Sequence, residues 1–351
     1  MNLESKQPTG YRFYEIDLLR FIAAVLVVVY HYLFRGYAAD DMSVLSFEFF
    51  GPVARYGYLG FHLFFIISGF VILLSSYGKT AADFVISRMV RLYPAYWFCV
   101  TATFIVILLL GAPRYEAGFV QYLVNLTMIH GFIGFDSIDG VYWTLMVELK
   151  FYFIIFGLII FKQIKRVKYY LGLWLLLAVV MTFYDVKYLG FFLFPEWSYY
   201  FIAGACFYLI HKEGKKPYFF VLLAITYAMA IYYALETIGR LEAHFPGEFH
   251  ASVIIFSISI FYGLFYLIAT NQSKWFNRPG FLVIGALTYP LYLIHENVGF
   301  ILFNVFSSYA NKYVILCAVS AAMLYVSYLI NRFIEKKYAP IFKRRLNALI
   351  K

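Results

Sequence analysis

The chain has 351 residues, of which 63% are apolar and only 14% charged, against a charged share of about 25% in soluble domains; an ordinary water-soluble globule is excluded. A formal charge of +10 is scattered through short segments between apolar runs, so no basic face for nucleic acid is offered. Cys99, Cys206 and Cys317 stand far apart inside apolar runs, which implies neither a disulfide framework nor a metal site, and they read as small packing residues.

Apolar runs long enough to cross a bilayer, about 17 to 25 residues, recur at 16–35, 57–76, 94–111, 141–162, 168–185, 196–211, 217–236, 249–270, 281–303 and 312–335. The sixth is the shortest. The pattern predicts an all-α, polytopic transmembrane bundle of about ten spans. It forms one domain over 1–351, with a helical core at 14–336 and no separate soluble domain. The N-terminal stretch is polar and the first run carries Arg20, so no removable signal peptide is expected. With both termini on one side, the opposite loops hold only Arg35, Arg55, Arg114, Lys187, Arg240 and Lys312 of the 29 Lys and Arg. Arg20 and Lys150 fall inside spans. By the positive-inside rule the richer side, with both termini, is cytoplasmic.

In chain order, the first polar residues without a structural excuse are Arg20 and His31, eleven apart in IDLLRFIAAVLVVVYHYLF. Eleven residues make about three helical turns, so both lie on one face, about 16 Å apart along the axis. Ionisable groups inside a span are costly and point to function. His62 follows in the second span, among Gly57, Gly60 and Gly69, where it either hydrogen-bonds between helices or lines a site. Arg88 and Arg91 share one face of SRMVRLYPAYW at the cytoplasmic surface. There they suit lipid headgroups or a phosphate-bearing ligand, because the guanidinium fork matches phosphate oxygens. The fourth span opens GVYWTLMVELKFYFIIF, with Trp143 near its start and Glu148 about one and a half turns in; Lys150 faces elsewhere on the helix, so Glu148 needs a partner from another span. The ninth span carries Tyr289, a Pro290 expected to kink it, and then His295 and Glu296. Direction and depth put His31, His62, Glu148 and His295 in the outer half and the three arginines at the inner side. One cavity is expected, with His31, Glu148 and His295 converging in it and a cationic inner mouth.

Five motifs in this order resemble the acyltransferase-3 family, the integral-membrane O-acyltransferases that modify bacterial cell-surface and exported glycans. They are ExDLLRFIAAVLVVVYH, GFHLFFIISGFVI, SRMVRLYPAYW, VYWTLMVELKFYF and GALTYPLYLIH, spread from Tyr14 to about Lys336. The resemblance implies residence in the bacterial cytoplasmic membrane and no tightly bound cofactor. It also implies acyl-CoA, usually acetyl-CoA, as cytoplasmic donor, and a carbohydrate or glycolipid hydroxyl as acceptor. It assigns His31, Glu148 and His295 to catalysis and Arg20, Arg88 and Arg91 to the donor, with His62, Trp143 and Tyr289 as possible lining. Thr288 stands where members often have Ser.

Acyl transfer from a thioester needs a base for the acceptor hydroxyl and donors for the oxyanion. His31 is the leading base, with Glu148 to orient it or steady its cation. Direct transfer and an acyl-histidine intermediate both remain open. The rival class is a proton-coupled secondary transporter, in which His and Glu would relay protons; a purely structural membrane protein would leave the sorted ionisable residues without purpose.

Overall fold

In a bilayer the backbone must satisfy its own hydrogen bonds, so long apolar runs become helices. The computed structural model describes residues 12–39, 41–184, 187–245 and 247–350, and there is no strand among them. Its helices are α1 Tyr14–Ala38, α2 Gly51–Ser76, α3 Ala81–Gly111, α4 Phe119–Asn125, α5 Gly140–Ile160, α6 Ile164–Phe183, α7 Lys187–Leu193, α8 Pro195–Glu213, α9 Pro217–His244, α10 Ala251–Ala269, α11 Phe281–Ile294, α12 Glu296–Phe306 and α13 Lys312–Ile350. Eight of these are long and apolar enough to cross a membrane, and α11 with α12 forms a ninth candidate bent by 68°. Each of the ten expected runs carries a helix or, for the ninth, this bent pair.

The run that departs from expectation is the sixth. Helix α8 reaches 19 residues yet is not among the helices apolar enough to span alone, because Glu196, Ser198, Tyr199 and Tyr200 interrupt its first turns. It is nevertheless the innermost helix: every residue from Ser198 to Ile210 is buried. Its main partner is α2, and the two backbones touch. A Cβ at Gly204 would collide with the Ile66 carbonyl oxygen, and one at Gly69 with that of Phe201. Small residues at such a crossing drive helix association in lipid. Gly204→Val should therefore destabilise the protein by about 1–3 kcal/mol or more, the usual cost of overpacking. Thermal unfolding in detergent is the check, and an unchanged midpoint would mean the crossing has slack.

Between α3 and α5 the chain does not stay at the surface. Helix α4 runs back along α3: Tyr122 stacks on Phe104 with centroids 4.5 Å apart, and five residues later Thr127 meets Tyr93. From Phe104 to Tyr93 is about 16 Å of helix. Irregular backbone at membrane depth survives only where protein or water satisfies it. Here α3 supplies the donors. Tyr96 Oη donates to Asn125 O at 2.7 Å, Trp97 Nε1 to Leu126 O at 2.9 Å and Tyr93 Oη to Thr127 O at 2.9 Å. Because of this re-entrant segment α5 starts deep. Trp143, near its start, packs on Phe61 with centroids 5.3 Å apart. Phe61 lies ten residues into α2, about 15 Å from its start.

Candidate active site

The site is built where a helix breaks. Pro290 lies inside α11 without ending it; the bend falls at His295 instead. This corrects the expected kink at Pro290. The break frees carbonyls that hydrocarbon could not solvate, and side chains take them. Tyr142 Oη donates to Leu293 O at 3.2 Å, and Tyr32 Oη adds a bond of 2.8 Å to His295 O, which also accepts from Gly299 N at 3.0 Å. The His295 ring turns back on its own helix, its Nδ1 lying 3.1 Å from Leu291 O and 3.0 Å from Tyr292 O.

Those contacts fix a chain of tautomers. Carbonyls only accept, so His295 Nδ1 carries the hydrogen and its Nε2 is left as an acceptor. His295 Nε2 lies 2.8 Å from His31 Nδ1, which therefore donates. In neutral His31 the lone pair is then on Nε2. That nitrogen stands 3.5 Å from Glu296 Oε1, and the same oxygen accepts from Arg35 Nη1 at 2.5 Å. His31 begins a π turn, His31–Arg35, at the end of the α-helical stretch Tyr14–Tyr30. Such widened turns recur at functional sites. His31, His295 and Glu296 are all buried.

One cavity opens on this centre, and a second shares wall residues with the first. The first, about 200 Å³, is lined by His31, Arg35, Glu296, His62, Trp143 and Trp197 among others. The second, about 120 Å³, is lined by Arg20, Arg88, Arg91, Ser68, Glu148 and Tyr289 among others. A single water needs only about 10–15 Å³ of such space, so both can hold parts of a ligand. Phe61 and Tyr292 line both cavities. Arg20 and His31, on one helix, thus serve different chambers.

The expected residues therefore separate into two groups. His31 and His295 meet directly, with His62 and Trp143 on the wall of the same cavity. Arg20, Arg88, Arg91 and Tyr289 line the other one together. Arg20 Nη1 stands 3.5 Å from Asp17 Oδ1, Arg88 Nη2 donates to Ser75 Oγ at 3.3 Å, and Arg91 Nη1 lies 3.2 Å from Glu335 Oε1. Thr288 adds a buried hydroxyl without a partner to that chamber.

Glu148 is the correction. It does not join the histidines; it lies in the arginine chamber and accepts a hydrogen bond from Ser68 Oγ at 2.7 Å. The re-entrant segment lowers the start of α5, and Glu148 goes down with it. The carboxylate beside His31 is Glu296, backed by Arg35. Neither was assigned to the site from sequence. Glu296 follows His295 directly, and on a straight helix consecutive side chains diverge by about 100°; only the break lets both serve one centre. Arg35 read as a loop charge, although its spacing of four from His31 was a usable signal.

The acyltransferase domain family, acyltransferase-3, matches residues 13–332. Nodulation protein 10 of Rhizobium leguminosarum bv. viciae is 30% identical over 176 residues, covering 43% of this chain and 45% of that protein. The chain thus matches less than half the length of that relative. A proposed acetyltransferase of Acidianus two-tailed virus, ORF330, is 25% identical over 291 residues, covering 80% of this chain and 81% of that protein. No solved structure matches the chain. With that match running through α1 to α12 and into α13, and including every residue of the two chambers, the chain belongs to the acyltransferase-3 family.

Proposed function

We propose that the protein is a multi-pass acyltransferase of the bacterial cytoplasmic membrane. It moves an acyl group, acetyl being the expected one, from cytoplasmic acyl-CoA to a sugar hydroxyl of a surface or exported glycan. The observation that carries this reading is the His295–His31–Glu296 relay at one end of α1, with three arginines gathered at the other end. In this reading His31 Nε2 takes the proton from the acceptor hydroxyl as its oxygen attacks the thioester carbonyl. His295 holds the tautomer that leaves Nε2 free, and Glu296 steadies the imidazolium that forms. Arg35 lines the same cavity and offers N–H groups to the oxyanion. When the thiolate leaves, His31 returns the proton to sulfur. An acyl-His31 intermediate uses the same atoms with Nε2 as nucleophile.

The arginine chamber suits the phosphates of the donor, whose arm then runs along α1 toward His31. Arg88→Ala and Arg91→Ala should each raise the donor KM about tenfold or more, since charge-assisted contacts are worth about 1.5–3 kcal/mol. Unchanged donor binding by calorimetry in both variants would leave lipid anchoring as their role.

The direct test is purified protein in nanodiscs with radiolabelled acetyl-CoA and a panel of methyl glycosides. Release of CoA with label on the sugar is the expected result. Absence of CoA release, with solute uptake into proteoliposomes, would replace the enzyme by a proton-coupled transporter.

A further inference from the structure

Resting on the acyl-transfer reading above, we propose that Asp139, just ahead of α5, and Gly140, the first residue of α5, are positioning residues that hold the Glu296 carboxylate against His31. Helix α12 starts at Glu296 with no side-chain cap of its own, although its first N–H groups are unsatisfied within the helix. Asp139 supplies the cap from another part of the chain. It is fully buried; its Oδ2 accepts from the Asn297 backbone N–H at 3.1 Å and its Oδ1 from that of Val141 at 3.3 Å. Asn297 returns the contact, its Nδ2 donating to Ile138 O at 2.9 Å. The segment 138–141 and the first turn of α12 are thereby locked in register.

Gly140 completes the clamp by being small. A Cβ there would lie 2.5 Å from Glu296 Oε2 and 2.8 Å from Oε1, closer than side chains tolerate. Gly140 is not among the residues with positive φ, so what glycine supplies is room for the Glu296 carboxylate, which a methyl group at 140 would push aside. Glu296 thus has a floor at Gly140, Arg35 and His31 on its Oε1, and a cap on the residue that follows it. A shift of the carboxylate away from Gly140 is a shift relative to His31 Nε2, the atom that handles the proton.

Gly140→Ala is expected to lower kcat about a hundredfold, the scale of a 1 Å misplacement, with donor and acceptor KM close to wild type. Glu296→Asp, which withdraws the carboxylate by one methylene, is expected to cost a similar factor alone. Combined with Gly140→Ala it should cost no more than Glu296→Asp by itself, because the shorter side chain leaves room for the new methyl group. Asp139→Asn, which cannot accept from both N–H groups, should lower kcat in the same way, with thermal stability read alongside. A Gly140→Ala enzyme as fast as wild type, or losses that multiply in the double variant, would overturn the clamp while leaving the acyl-transfer reading intact. A wild-type protein that releases no CoA would overturn that reading, and the clamp's role in it as well.

Discussion

His31→Ala should lower acyl transfer by about 10²–10⁴-fold, the range for loss of a general base, in a protein that still inserts and folds. The size follows from how completely the surroundings are organised around one atom. His295 spends its Nδ1 hydrogen on Leu291 O and Tyr292 O, which leaves its Nε2 to accept from His31 Nδ1. His31 Nε2 is then the basic nitrogen of the pair. No other imidazole lies within hydrogen-bond distance of the pair among the described residues, and Glu296 is engaged by Arg35. Rates with saturating acetyl-CoA and a methyl glycoside acceptor are the measurement, with gel filtration and thermal unfolding as controls for folding. Residual transfer above about a tenth of wild type, far outside that range, would make His31 a packing residue.

The second large effect separates two carboxylates. Glu296→Gln should lower kcat by about 10²–10³-fold, as loss of one preorganised electrostatic group does. The glutamine keeps the shape and a contact to Arg35, but it cannot balance an imidazolium at His31. Glu148→Gln should act on the donor KM instead, because Glu148 shares its chamber with Arg20, Arg88 and Arg91 and bonds to Ser68. Full kinetic series for both variants decide the matter. A larger kcat loss in Glu148→Gln than in Glu296→Gln would return the histidine's partner role to Glu148.

Helix positions and the polar stripe of α1 were legible because periodicity and the cost of buried charge act locally. The eleven-residue spacing of Arg20 and His31 needs only helical geometry, although the single cavity expected along that stripe is two, with one residue in each. The depth of Glu148 was illegible for a tertiary reason. The segment Phe119–Asn125 is too short to read as a span and is flanked by loop residues, and its descent depends on Tyr93, Tyr96 and Trp97 waiting on α3 to receive its carbonyls. Counting down from an assumed surface therefore put Glu148 too high. The role of Glu296 was hidden by the assumption of a straight helix. The proline drew attention to Pro290, while the bend falls five residues later, where Tyr142 and the His295 ring compensate the broken ladder.

The burial of α8 bears on how the protein is made. A helix whose own side chains are too polar to favour lipid gains little by leaving an insertion channel alone. Its contact surface is supplied by α2, which is synthesised more than a hundred residues earlier and meets it backbone to backbone at Gly69 and Gly204. Entry of α8 into the membrane is thus expected to depend on a helix already there. Helix α2 offers itself as an internal docking partner for α8, so that recruitment is expected to act in biogenesis beside the order of emergence. Substitutions at this crossing would be felt as failed topology, with Pro195–Glu213 left outside the bilayer, before any loss of catalysis could be measured.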